Sequence, residues 1–560
     1  MRRYMQSASL LLAVLLVPAQ GIAATLALTP AQRTGIDAAF KQYKTPGTPG
    51  CALGVLRNGT AVYARGYGMA DLERNVRITP ASVFEVGSTS KQFAAAAIAL
   101  LVNEGKVSFS DDIHKYIPEL PSYGAPLTLN ELMWHTSGLR DYTDLLALAG
   151  YGLEQATTDE QALSAIVRQR GLEFPSGTQY EYSNTNYFLL SVIVKRVTGE
   201  TLAQFVRRRI FIPLGMTHTV YRTDYAMLIP DRAMGYAPAG GGRFKNSMSN
   251  WQQTGDGGVQ ISIDDAAKWD ANFYNARVGG RRMIDELQTP GHLSNGKRLG
   301  YARGLFVGAY RGLKMVSHGG AWIGYRAAFN RFPAVHTSII VFCNSDAAQP
   351  DGLAQQVADV VLAPYLAAPA HADFLVRPVQ SQTPARDLIG AYLNRMSGEV
   401  FHVAAQRRSV AIEAGGAMYP LTPAGGSTFR LGSTIVRFAI GSDGRATSLA
   451  LGEGEDATVA QRFTPQAPTV QQLAGAGGSY YSGELDVTWQ LRVSGRHLLL
   501  EPSRFVPQGA AGPLDPQLPD TFTSDAGGFL IHFTREGNAV TGFTLSAGRG
   551  LRSLAFTRVR

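Results

Sequence analysis

The sequence predicts an α+β domain followed by two copies of a small β unit. Three observations predict it: strand-like runs at both ends of residues 25–366 with helices between them, a break in composition at 367–386, and short motifs that recur in the Gly-rich remainder. In the first region a helix is expected around Ala31 to Lys44. Strand-like runs follow near Cys51 to Arg57 and Ala61 to Tyr67, split by Asn58-Gly59, a strong hairpin signal. The far end carries strand patterns near Met315, Arg326 to Arg331 and Thr337 to Cys343, then a helix from about Asp351 to Tyr365. Terminal strands with helices between them imply that the first and last segments share one antiparallel sheet.

Residues 367–386, rich in Ala, Pro and Gln without periodicity, read as a linker. Beyond it, 387–466 and 472–560 form two units. Gly390-Ala-Tyr392 matches Gly478-Ser-Tyr480, and Pro420-Leu421-Thr-Pro423 with Phe429 matches Pro513-Leu514-Asp-Pro516 with Phe522. Two copies of one β unit is the economical reading. From the tyrosine to the first proline is 28 residues in the first copy and 33 in the second, which places a lengthened loop at Arg504 to Gly512.

Composition narrows the function. A chain of 560 residues with 45% hydrophobic and 17% charged residues is globular and divides into several domains. The net charge of +9 is scattered rather than gathered into a basic stripe, which argues against a nucleic-acid partner. Residues 1–24 have the charged start, short apolar run and small residues of a secretory signal, so a periplasmic or secreted product beginning near Ala24 or Thr25 is expected. No later run is long and apolar enough for a membrane helix, and no cysteine follows the signal to carry a lipid, so no stable membrane anchor is expected. Cys51 and Cys343 lie in apolar β-rich runs and are expected to be buried free thiols; export permits a disulfide, but two cysteines so far apart give no geometric warrant for one.

The chemistry begins at Gly87-Ser88-Thr89-Ser90-Lys91, which leads into a strongly helix-forming stretch. A serine hydroxyl needs a neighbouring base to take its proton, and Ser-x-x-Lys at a helix start supplies one a turn away. Free N–H groups and the helix dipole there favour an oxyanion and a neutral lysine. Taken alone, the motif is more simply a capping serine and a solvated lysine. Two further elements raise its standing. Tyr182-Ser183-Asn184 precedes a helix-like Tyr187 to Thr198 and offers a phenol to relay a proton and an amide to orient the lysine. His318-Gly319-Gly320 lies between strand-like runs, where glycines would let a substrate backbone approach the strand edge.

Ser88-x-x-Lys91, Tyr182-x-Asn184 and His318-x-Gly320, in this order, resemble the three motifs of the serine β-lactamase and penicillin-binding-protein superfamily, class C branch. Trp134-His-Thr-Ser-Gly-Leu139, Pro213-Leu-Gly-Met216 and Asp256-Gly-Gly-Val259 also resemble it. They are structural segments in that family, so His135 and His218 are expected to pack rather than bind a ligand. The resemblance, over roughly residues 30–366, implies a DD-peptidase/β-lactamase-like domain with an antiparallel sheet flanked by helices and a helical region. It makes Ser88 the nucleophile, Lys91 its base, Tyr182 a second acid/base and Asn184 a positioning amide, with Gly320 beside the substrate. The N–H groups of Ser88 and Ala321 would form the oxyanion hole. His318, expected among the catalytic residues, stands where typical β-lactamases and transpeptidases have a lysine, which removes a cation that holds the substrate carboxylate.

A histidine there resembles the esterase-like and D-aminopeptidase members. The latter also share two C-terminal antiparallel β-barrels, and Tyr481-Ser-Gly-Glu-Leu-Asp486 resembles the start of their last barrel. In that group a loop of the last barrel brings an acid to the substrate's ammonium. Here Ala510 falls at the corresponding position, and Asp515 is the nearest substitute.

The expected activity is hydrolysis, through an acyl-enzyme, of small amide, ester or peptide substrates bearing D-amino acids. A carboxylesterase, a weak β-lactamase and a non-catalytic penicillin-binding-like receptor are the alternatives. No Gly-x-Ser-x-Gly elbow or His-Glu-x-x-His zinc motif occurs, and no cofactor or metal is implied.

Overall fold

The computed structural model describes residues 27–368 and 383–559, apart from 396, 407–408, 415–416, 433, 453–456, 508, 525–527 and 549. The expected signal at 1–24 and most of the expected linker at 367–386 lie outside the described residues.

Asn58 and Gly59 both take positive φ, so the chain turns tightly between Cys51–Arg57 and Thr60–Tyr67. These two strands close a six-stranded antiparallel sheet whose remaining strands all come from the far end of the domain. Its order is Phe306–Tyr310, Leu313–Trp322, Tyr325–Phe332, Thr337–Cys343, Cys51–Arg57 and Thr60–Tyr67. One face is covered by Pro30–Ala39 and Pro350–Val361, whose apolar sides meet Leu53, Val55, Ile339 and Val341. The other face receives the helical region, centred on Lys91–Asn103. That helix is buried along nearly its whole length because Phe93 to Leu101 carries four consecutive alanines that let neighbours approach from every side.

Sheet register corrects the expectation for the two cysteines. Cys51 opens one strand and Cys343 ends its antiparallel neighbour, and the pairing sets them directly opposite, where they form a disulfide. The sequence distance between them is irrelevant once first and last strands are adjacent.

The first C-terminal unit is a nine-stranded antiparallel sheet from Gly390–Leu393 to Thr458–Phe463, and the second is a closed eight-stranded barrel from Gly478–Ser482 to Leu551–Val559. The repeated motifs do the same work in both. Tyr392 donates to Leu388 O at 2.6 Å and Tyr480 to Ala476 O at 2.7 Å, each from a fully buried ring. Arg462 donates to Ile389 O and Arg558 to Gly477 O, each guanidinium lying over the glycine that begins the copy.

The last barrel docks on the hydrolase domain through buried charges. Arg140 donates to Glu173 at 2.6 Å and to Glu484 of the barrel at 2.6 Å; Arg552 donates to Glu181 at 2.9 Å and through its backbone N–H to Glu173 at 3.0 Å. The lengthened loop also meets this surface: Gly150 packs against Arg504 and Phe505, where any side chain on the glycine would strike the Arg504 carbonyl.

Candidate active site

Ser88 sits in a 3₁₀ turn, Gly87–Ser90, that runs directly into Lys91–Asn103. Three neighbours pin this turn. Val259 N–H donates to Ser90 Oγ at 3.1 Å, the Tyr221 hydroxyl to Ser90 O at 3.3 Å, and the Thr89 hydroxyl to His318 O at 3.3 Å. Gly87 has φ of +48°, and a side chain there would press on Ala321.

Lys91 is fully buried, and its Nζ donates to Ser88 Oγ at 3.1 Å, Asn184 Oδ1 at 2.8 Å and the Asp256 backbone oxygen at 2.9 Å. Burial lowers its pKa to about 8, against the opposing pull of the Asp256 and Asp141 charges. Asn184 is held by a residue the sequence reading missed: Asp141 Oδ2 accepts from Asn184 N at 2.7 Å and Nδ2 at 3.0 Å, which turns the amide oxygen toward Lys91. Asp141 follows the Trp134–Leu139 stretch by two residues. Its signal was an acid placed to cap the helix Tyr142–Leu148, whose Thr143 N–H it accepts at 2.9 Å.

The Tyr182 ring lies 4.8 Å from Lys91 Nζ, and its buried hydroxyl has no hydrogen-bond partner of ordinary geometry among the described residues. Burial holds its pKa well above that of a free phenol, and nearby Ser88 opposes that shift. His135 stacks on Tyr182 at 4.2 Å and its Nδ1 accepts from Ser183 N–H at 3.2 Å, so it packs, as expected, behind the phenol. His218 does not: its side chain is exposed, with Nδ1 3.3 Å from the Thr217 hydroxyl, while its backbone N–H donates to Asp265.

His318 is buried behind Tyr182. Its Nε2 pairs with the Tyr301 hydroxyl at 3.0 Å and its Nδ1 with Gly319 O at 2.6 Å, and burial with nearby Lys91 lowers its pKa to about 3. The ring is neutral and bonds to neither Ser88 nor Lys91. A side chain on Gly320 would collide with Val86 O, so the missing Cβ lets the strand meet the Ser88 turn.

Ala321 lies one residue before the Trp322–Tyr325 hairpin pair, opposite Arg326. Alternation in an antiparallel ladder then points its N–H away from Tyr325–Phe332, and its nitrogen lies beside Gly87 at the start of the Ser88 turn. Glu85, Ser88, Tyr142, Asn184, Trp251, Asp256 and Trp322 are among the residues that line the cleft here. Asp256 was expected to be structural; its backbone oxygen accepts from Lys91, and the residue is among those that line the cleft. No described residue of Arg504 to Gly512 is among those that line this cleft; Ala510 is buried in the hydrophobic core, and Asp515 lies in the strand Gly512–Leu518, opposite Thr523.

The profile of the beta-lactamase family matches residues 36–362. The chain belongs to the beta-lactamase family. It is similar along most of its length to a D-aminopeptidase of Cereibacter sphaeroides, 29% identical over 526 residues that cover 89% of this chain and 93% of the relative. A D-aminopeptidase of Gluconobacter oxydans is 30% identical over 352 residues, covering 62% of this chain and 64% of that protein, so the match spans just under two thirds of that relative. Among solved structures, the octameric penicillin-binding protein homologue from Pyrococcus abyssi superposes with a TM-score of 0.57 at 23% identity, covering 77% of this chain and 99% of its own. D-amino acid amidase from Ochrobactrum anthropi SV3 gives 0.52 at 22%, covering 60% and 99%. At these identities the likeness shows the shared fold. With its relatives, the chain is a serine hydrolase of this family.

Proposed function

We propose that this serine hydrolase forms an acyl-enzyme on Ser88 and cleaves amides or short peptides whose acyl part is a D-amino acid. The carrying observation is Lys91 Nζ, shut away from solvent and held against Ser88 Oγ. Neutral Lys91 takes the serine proton as Oγ bonds to the substrate carbonyl carbon, and the oxyanion is met by the N–H groups of Ser88 and Ala321. The carbon–nitrogen bond then breaks, with Tyr182, kept protonated by burial, handing a proton to the leaving amine. Water, deprotonated by the same pair, attacks the ester; the acid leaves and Ser88 regains its proton. Asn184 orients Lys91, and His318 acts as a positioning residue behind Tyr182. The D-amino-acid class rests on the D-aminopeptidase relatives. We further propose that residues 1–24 direct export to the periplasm or medium, tested by the N-terminus of the protein recovered from fractionated cells.

A second reading, carboxylesterase, is favoured by neutral His318, which gives a substrate carboxylate no cation. Intact mass after a fluorophosphonate tests the mechanism: one adduct on the wild type and none on Ser88→Ala is expected, and an adduct on the variant refutes it. Turnover of a D-amino-acid p-nitroanilide against its L-isomer and p-nitrophenyl acetate separates the two readings. Rapid ester cleavage with no turnover of the D-anilide would leave only the esterase.

A further inference from the structure

The cleft holds two carboxylates, and only one is neutralised by a fixed cation. Glu85 Oε2 accepts from Gln260 at 2.9 Å and lies 3.6 Å from the Arg222 guanidinium. Asp256 has no such partner. Its Oδ2 accepts from the Tyr142 hydroxyl at 3.0 Å, and its Oδ1 is buried without a hydrogen bond among the described residues. Among the described residues, the one cation that acts on Asp256 is Lys91, which bonds its backbone oxygen and must be neutral to activate Ser88. Burial raises the Asp256 pKa to about 6, and with Lys91 neutral its carboxylate has no fixed counter-charge among the described residues, a condition protein interiors avoid unless a ligand relieves it.

We propose that Asp256 Oδ1 is the subsite for the α-ammonium of the substrate's acyl portion, so that the preferred substrates are amino-acid amides, esters or peptides with a free N-terminus. The inference rests on Ser88 being the acylated residue. The placement supports it: Ser88 Oγ and the Asp256 backbone oxygen are bound to the same Lys91 Nζ, at 3.1 and 2.9 Å, and an α-ammonium lies two bonds from the carbonyl carbon that Ser88 attacks. Tyr142 fixes the carboxylate from its far oxygen, leaving Oδ1 for the ligand. Beside it, Gly257 also lines the cleft, and a side chain there would meet nothing within 4 Å, so the wall has room.

The test compares D-phenylalanine methyl ester with methyl 3-phenylpropionate at pH 6.5, where the α-amino group is charged. Both are esters, so the comparison does not require amide cleavage, and the ratio of their kcat/KM values cancels any change in Lys91 basicity. The wild type is expected to prefer the ammonium ester at least tenfold, and Asp256→Asn to bring the ratio within threefold of unity. A wild-type ratio near one, or a preference retained by Asp256→Asn, overturns the proposal. Calorimetry on Ser88→Ala provides a measurement independent of turnover and of the Asp256 variant's folding. D-Phenylalaninamide should bind at least tenfold more tightly than 3-phenylpropanamide, and equal binding overturns the proposal. Absence of a fluorophosphonate adduct on the wild type would instead count against Ser88 as nucleophile, leaving the calorimetric arm to judge the ammonium subsite.

Discussion

Asp141→Asn should move the pH dependence of the enzyme to lower pH. The active form of Lys91 is the neutral amine, so kcat/KM rises with pH through the lysine's pKa, which burial brings from 10.5 to about 8. At about 1.36 kcal/mol per pH unit, that drop favours the neutral amine by about 3.4 kcal/mol. At pH 7 it raises the neutral fraction from about one molecule in 3,000 to about one in 10. Asp141 works against this gain. Its carboxylate is separated from Lys91 by the Asn184 amide, across hydrogen bonds of 3.0 and 2.8 Å. At roughly 7 Å, a unit charge stabilises the ammonium by about 2 kcal/mol at an effective dielectric of about 20, and by about 0.6 kcal/mol in bulk water. Removing it should lower the midpoint by about half a unit to one and a half units. Asparagine caps a helix as well as aspartate does, so Tyr142–Leu148 should keep its start. The assay is kcat/KM for p-nitrophenyl acetate, which has no ionisable group of its own, from pH 5.5 to 10. A wild-type midpoint near 10.5, or a variant midpoint unmoved or shifted upward, would refute the reasoning.

Two further outcomes concern stability. Reduction, or replacement of Cys51 and Cys343 together by alanine, should cost about 2–4 kcal/mol, because the bridge closes a very long loop; thermal unfolding with and without reductant reads it. Glu484→Ala removes a partner from Arg140, whose side chain is 8% exposed, and should destabilise the docked barrel by about 3 kcal/mol, whereas Glu484→Gln should cost less. Calorimetry checks the difference, and a parallel loss in the rate of Ser88 labelling is expected because Arg140 adjoins Asp141.

The elements legible in the sequence were those written in short contiguous patterns. Ser88 and Lys91 share one helical turn, Tyr182 and Asn184 flank one helix start, and the Tyr392 and Tyr480 motifs repeat at the head of each β unit. Each can be read without knowing what lies across the fold. Asp141 and Asp256 could not be read this way. Asp141 matters through the amide of Asn184, and Asp256 through a backbone oxygen that no residue identity reveals. The disulfide was hidden for a related reason: the sequence showed that first and last strands share a sheet, but only register puts Cys51 against Cys343. Gly320 carries a second constraint that the sequence did not show: the space a side chain would take is filled by Val86 and Thr89, at the nucleophile turn.

The ion network at the last barrel bears on how such a chain can be recombined. Arg140 precedes Asp141 and Glu181 precedes Tyr182, so the barrel's Glu484 and Arg552 each hold a residue adjacent to one of the groups around Lys91. Exchanging or deleting that barrel would strand buried charges at the edge of the reacting groups, and domain shuffling would be selected against there.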